Sequence, residues 1–215
     1  MWLKVCCIQN KDEAAIAFRQ GATHLGLVGA MPTGIGPISD ERIIEITKDF
    51  NDRLKTVLLT SEKTSSSIVQ HAKKVGSNAL QIVREISLQD LAAVKNELKD
   101  IQLIQVVHVQ DTSAIKRAVS FSDIADAILL DSGNPGNQTL GGTGNVHNWD
   151  VSKEIVAAVS KPVFLAGGIG PENVAKAIEH VHPRGIDLCS ALRTNNKLSE
   201  DRLSRLVSEM KPYQQ

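Results

Sequence analysis

Short apolar runs rich in Val, Ile and Leu alternate along this chain with longer stretches whose apolar positions recur at helical spacing. The runs predict strands at Leu3–Ile8, His24–Val28, Lys55–Leu59, Ala79–Val83, Leu103–His108, Ala127–Leu130, Val163–Ala166 and Gly185–Leu188. The stretches between them predict helices at Asp12–Gln20, Asp40–Phe50, Ser66–Val75, Leu88–Leu98, Ala114–Ser120, Ser152–Val159, Glu172–His180 and Glu200–Met210. Ser39 and Ser199 stand where a hydroxyl caps a helix start, and Gly21 and Gly76 where a chain leaves a helix. Strict alternation predicts parallel strands joined by right-handed crossovers. Eight units of about 27 residues each, with no linker between them, point to an α/β fold. The expectation is a single (β/α)8 TIM barrel of the phosphate-binding type over residues 1–215. An open doubly wound sheet obeys the same alternation and is the alternative.

Composition narrows the function classes. Of 215 residues, 42% are hydrophobic but only 3% aromatic, so the core is aliphatic and no stacking platform for bases is available. The 24 basic and 24 acidic side chains cancel, which argues against nucleic acid or an anionic membrane as partner. Any anion must therefore be met locally, and a small molecule is the expected partner. The three cysteines are an odd number and Cys6 and Cys7 are adjacent, which argues for a reducing compartment and against a disulfide framework. The apolar run at the N-terminus turns polar at Gln9, too soon for a signal peptide or membrane span. A cytoplasmic protein is expected, as a monomer or a homodimer.

Two connections exceed the usual few residues: 29–39 after the second strand and 131–150 after the sixth. Both follow C-terminal strand ends, where barrels of this kind carry their sites. Glycine-bearing segments follow the last three strands and include Gly142, Thr143 and Gly144, then Gly167 and Gly168, then Cys189 and Ser190. Glycine lets backbone amides approach an oxyanion, and these seven residues are the expected phosphate site. Gly167 and Gly168 also serve a bare turn ahead of the next helix. Cys6 and Asp131 end the first and sixth strands, where a thiolate can take a proton and a sheltered carboxylic acid can give one. By residue type alone, the reading of Cys6 as a small buried hydrophobe and Asp131 as a polar strand terminus comes first. Arg84, His108 and Arg193, each just after or at the end of a strand, are candidate substrate contacts.

The blocks Lys4-Val5-Cys6, Leu129-Leu130-Asp131-Ser132, Gly141-Gly142-Thr143-Gly144 with Trp149 beyond it, Leu165-Ala166-Gly167-Gly168-Ile169-Gly170-Pro171-Glu172-Asn173-Val174 and Gly185-Ile186-Asp187-Leu188-Cys189-Ser190 form an ordered set. In order and spacing this set resembles the phosphoribosylanthranilate isomerase family across nearly the whole chain. The resemblance implies an Amadori rearrangement in tryptophan biosynthesis, with Cys6 as general base and Asp131 as general acid. It implies neither a redox cofactor nor a metal. Some positions depart from the family pattern. The second loop lacks the family's arginine, and no Arg or Lys occurs between Arg19 and Arg42. Cys7 replaces a glycine, Gln81-Ile82-Val83-Arg84 replaces Gln-Leu-His-Gly, Ala191 replaces a glycine, and Arg193 stands where a glutamate is usual. Two alternatives therefore stay open. One is a divergent isomerase acting on another phosphorylated sugar or amine, and the other is a phosphate-ligand binding protein without turnover.

Overall fold

Each of the eight apolar runs forms a strand: β1 (Trp2–Val5), β2 (His24–Val28), β3 (Lys55–Thr60), β4 (Ala79–Ile82), β5 (Gln102–His108), β6 (Ala127–Asp131), β7 (Val163–Leu165) and β8 (Gly185–Leu188). The computed structural model, which describes residues 1–31, 36–132 and 147–213, closes them into a parallel barrel in sequence order. Closure is made by β1 against β8, with Trp2 opposite Gly185 and Lys4 opposite Asp187. The helices among the described residues are α1 (Lys11–Arg19), α2 (Asp40–Phe50), α3 (Ser65–Val75), α4 (Leu88–Glu97), α5 (Ser113–Ser122), α6 (Trp149–Ala158), α7 (Val174–Val181) and α8 (Glu200–Met210). None of these helices is long and apolar enough to cross a membrane.

Strand alternation divides the apolar residues into two cores. Leu3, Val5, Leu25, Leu58, Leu80 and Ile128 face outward and pack against the helices. Cys6, Val57, Ile104, Val106, Leu129 and Phe164 fill the barrel interior. Burying each large aliphatic side chain of these layers contributes about 1.5–3 kcal/mol, so the fold does not need aromatics for its stability. One exception is the floor of the barrel, where Phe164 packs against Trp2 and His24 at ring separations of 5.4 and 5.1 Å.

Local signals set most element ends. Ser39 and Ser199 accept hydrogen bonds from the Arg42 and Arg202 amides, and Thr64 forms a capping box with Ser67. Gly76 closes α3 in the left-handed region at φ 69°. The main differences lie at β1, α6, α7 and the C-terminal segment. β1 ends at Val5, although the Cys6 amide still donates to the Leu188 carbonyl at 2.8 Å. α6 starts at Trp149 because the Asn148 side chain caps it, and α7 starts at Val174 because the Asn173 side chain is bonded to Gly168 and Gly170. A hairpin absent from the sequence reading, β9 (Arg193–Thr194) with β10 (Lys197–Leu198), precedes α8. Asn195 and Asn196 both take positive φ in its two-residue turn, as a tight hairpin requires.

The expectation of reduced cysteines is overturned. Cys7 and Cys189 form a disulfide across 182 residues, and Cys6 alone is free. Barrel closure explains it, because β1 and β8 are neighbours only in the folded sheet. The cysteine argument for a reducing compartment falls with this bond.

Candidate active site

The inward positions of β1 are Trp2, Lys4 and then Cys6, which emerges at the C-terminal mouth of the barrel. Cys6 is 6% exposed. Its room comes from β2: a Cβ on Gly26 would lie 2.6 Å from the Cys6 sulfur, so any larger residue there displaces the thiol. Burial pushes the thiol up to about 11, and the charge of the Lys4 ammonium is the main influence pulling it back. Lys4 is fully buried and its Nζ donates to Asp187 Oδ1 at 2.9 Å.

Asp131 ends β6 three strands from β1 around the barrel. Burial pushes its carboxyl above the ordinary range, against the Ser132 amide that donates to Oδ1 at 2.7 Å and the nearby His108. Such a group holds its proton at pH values where an exposed aspartate has lost it. His108 lies opposite Asp131 in the β5–β6 register and is 1% exposed. Its Nε2 sits 3.3 Å from the Val83 carbonyl, while Nδ1 has no hydrogen-bond partner among the described residues.

The β7 and β8 ends form the corner expected to meet a phosphate. Gly167 and Gly168 adopt φ of 77° and 66°, a conformation that favours glycine. A Cβ on Gly167 would come within 2.9 Å of the Ser132 amide nitrogen, so the two loops touch. The Asn173 side chain bonds the Gly168 carbonyl and the Gly170 amide and holds this loop in shape. Ser190 is exposed and starts a short 3-10 turn. Cys189 is engaged through its sulfur by Cys7, which leaves only its backbone for a ligand. Gly142, Thr143 and Gly144 lie outside the described residues. At the edge of that segment, His147 Nε2 is 2.7 Å from Ser152 Oγ at the start of α6.

The two candidate arginines separate. Arg193 is engaged within the protein: its guanidinium pairs with Glu13 at 2.8 Å, both side chains are under 10% exposed, and it also bonds the Cys7 carbonyl. Burial alone would raise Glu13, but Arg193 and the Leu198 and Gln9 amides outweigh it and hold the carboxyl below its usual range. Arg84, after β4, uses Nε on the Ser61 carbonyl and leaves its two terminal nitrogens without an acceptor among the described residues. Among those residues no group of three His, Cys, Asp or Glu is placed to hold a metal ion.

Sequence reasoning missed Lys4, Asp187 and Gly26 as parts of the site. The signal for Lys4 was present, since it shares the parity of Cys6 within an otherwise apolar strand. The signal for Gly26, a glycine inside a strand, marks a close approach but not its partner.

The family model for N-(5'phosphoribosyl)anthranilate (PRA) isomerase matches residues 3–209. The chain is 30% identical over 202 residues to N-(5'-phosphoribosyl)anthranilate isomerase 2 of Methanosarcina mazei, covering 94% of this chain and 89% of that one. The phosphoribosyl anthranilate isomerase of Thermus thermophilus superposes over 100% of both chains with a TM-score of 0.84 at 23% identity. Another such structure, solved in complex with reduced 1-(o-carboxyphenylamino)-1-deoxyribulose 5-phosphate, covers 99% of both chains with a TM-score of 0.81 at 23% identity. With Cys6 and Asp131 at the mouth of a matching barrel and the family model spanning nearly all of it, this chain belongs to the phosphoribosylanthranilate isomerase family.

Proposed function

We propose that this chain, as a single barrel domain over residues 1–215, converts N-(5'-phosphoribosyl)anthranilate into 1-(carboxyphenylamino)-1-deoxyribulose 5-phosphate in tryptophan biosynthesis. The observation that carries this reading is the pair of Cys6 and Asp131 at the ends of β1 and β6, because the reaction needs one proton given and one taken. The Asp131 acid protonates the furanose ring oxygen; the C1–O bond breaks as the nitrogen lone pair forms the C1–N double bond. The Cys6 thiolate then removes the C2 proton, and that C–H electron pair becomes the C1–C2 double bond of an enolamine. Tautomerisation moves the C2 hydroxyl proton to C1 and leaves the ketone. C2 is oxidised and C1 reduced within one molecule, which makes this an aldose-to-ketose isomerisation balanced by protons alone.

The phosphate is met by the backbone of Gly167, Gly168, Cys189 and Ser190, and Gly142, Thr143 and Gly144, expected from the sequence to share in this, lie outside the described residues. Backbone amides suit a chain of zero net charge. His108 is proposed to face the sugar, since its buried Nδ1 has no hydrogen-bond partner among the described residues. A cytoplasmic setting is proposed from the biosynthetic role.

The capture of Arg193 by Glu13 favours a second reading, in which the amine lacks the carboxylate of anthranilate. Under the main reading Arg84 is the candidate left to answer that carboxylate. Following the fluorescence change of phosphoribosylanthranilate with purified wild type, Cys6→Ser and Asp131→Asn tests the main reading. Loss of roughly 100-fold or more in both variants is expected. Wild-type turnover no higher than theirs sinks it. Growth of a tryptophan auxotroph supplied with this chain separates the two substrates, because the second reading predicts no rescue.

A further inference from the structure

Lys4 is among the largest fully buried side chains of the described residues. A buried ion pair is weak grounds for stability, since apolar residues of the same volume often serve as well or better. Its position offers another reason for it. Lys4 and Cys6 are on the same face of one strand, Asp187 lies opposite Lys4 in the β1–β8 register, and the Lys4 ammonium, bonded to the Asp187 carboxylate at 2.9 Å, acts through its charge on the Cys6 thiol two residues along. Asp187 holds Lys4 charged in return. The other titratable groups near this cluster are Asp131 of β6 with His108 of β5, and His24 of β2, which feels Lys4. On the β2 side Cys6 lies against Gly26, which carries no charge, and Lys4 is the cation whose charge pulls the thiol down.

We propose that Lys4, fixed by Asp187, is a positioning residue for the isomerisation: its ammonium stabilises the Cys6 sulfur as the thiolate that removes the C2 proton. In that step the C2–H bond breaks and the S–H bond forms, while Lys4 keeps all its protons. The inference rests on the reading of Cys6 as the base, and two measurements keep the two apart.

The first is the rate at which iodoacetamide alkylates Cys6 at a fixed, mildly alkaline pH without reductant, followed by mass spectrometry of the Cys6 peptide. Wild type is compared with Lys4→Met and with K4M/D187N, which removes both charges at similar volume and carries the measurement if the single variant fails to fold. Alkylation follows the thiolate fraction, so a fall of roughly ten-fold or more is expected in either folded variant. A merely structural Lys4 predicts the opposite sign, because a loosened barrel exposes the sulfur. The second measurement is turnover, where kcat is expected to fall roughly ten-fold with KM little changed. A folded variant alkylated at the wild-type rate or faster overturns the proposal. Full turnover by Cys6→Ser overturns the base assignment instead, whatever the alkylation rates show.

Discussion

Gly26 and Cys6 share one small volume, and the chemistry depends on it. The thiol reaches the mouth only because β2 carries no side chain at that point, with 2.6 Å between the sulfur and a virtual Cβ. Gly26→Ala is therefore expected to lower kcat at least roughly ten-fold while the protein stays folded, as steady-state kinetics with circular dichroism will test. The pH profile follows from the same pocket. The active form carries Cys6 as thiolate and Asp131 as acid. Buried carboxyls rarely titrate above about 9, so the alkaline limb of kcat/KM belongs to a thiol displaced from 9.0 to about 11. The acid limb belongs to Asp131, above the ordinary carboxylate range; in Asp131→Asn the residual activity is expected to rise instead until the thiol itself titrates, and the alkaline fall to vanish. An alkaline limb near the ordinary thiol value would contradict the burial of Cys6.

At the scale of elements, the β9–β10 hairpin and the segment after β1 are bound together at the edge of the mouth. Arg193 of β9 meets Glu13 of α1, Leu198 of β10 donates to the same carboxylate at 2.9 Å, and Cys7 is crosslinked to Cys189. Arg193→Ala leaves Glu13 buried without its cation, which is expected to cost about 3–5 kcal/mol. Denaturant unfolding measures that loss, and an unchanged KM in the same variant separates it from substrate binding. The disulfide closes a loop of nearly the whole chain, so its reduction is expected to lower stability by about 2–4 kcal/mol. Equal unfolding midpoints with and without reductant would show that the crosslink contributes nothing.

For the whole molecule, acid is expected to unfold the barrel from its floor. Burial lowers His24 from 6.5 to about 4, and His147 is lowered in the same way to about 4. Between these values the unfolded chain binds more protons than the folded one, so stability is full above 6.5 and is lost as pH falls towards 4. His24 alone accounts for on the order of 3 kcal/mol. Chemical denaturation across this range is expected to show the loss, and His24→Gln to flatten it.

The strand–helix alternation, the helix caps at Ser39, Ser199 and Gly76, and the positions of Cys6 and Asp131 at strand ends were all determined by the sequence alone. These features are local: they follow from side-chain period, from hydroxyls and glycines within one turn of a helix end, and from short motifs in fixed order. Three others waited for the tertiary structure. Cys7 meets Cys189 because closing the sheet makes its first and last strands adjacent, a contact that no local pattern encodes. Arg193 is held by Glu13 for the same reason, across 180 residues. Lys4 reads as a solvated lysine by type; its shared parity with Cys6 is legible in the sequence, but only the closed barrel buries that face and sets Lys4 against the Asp187 carboxylate that keeps it charged.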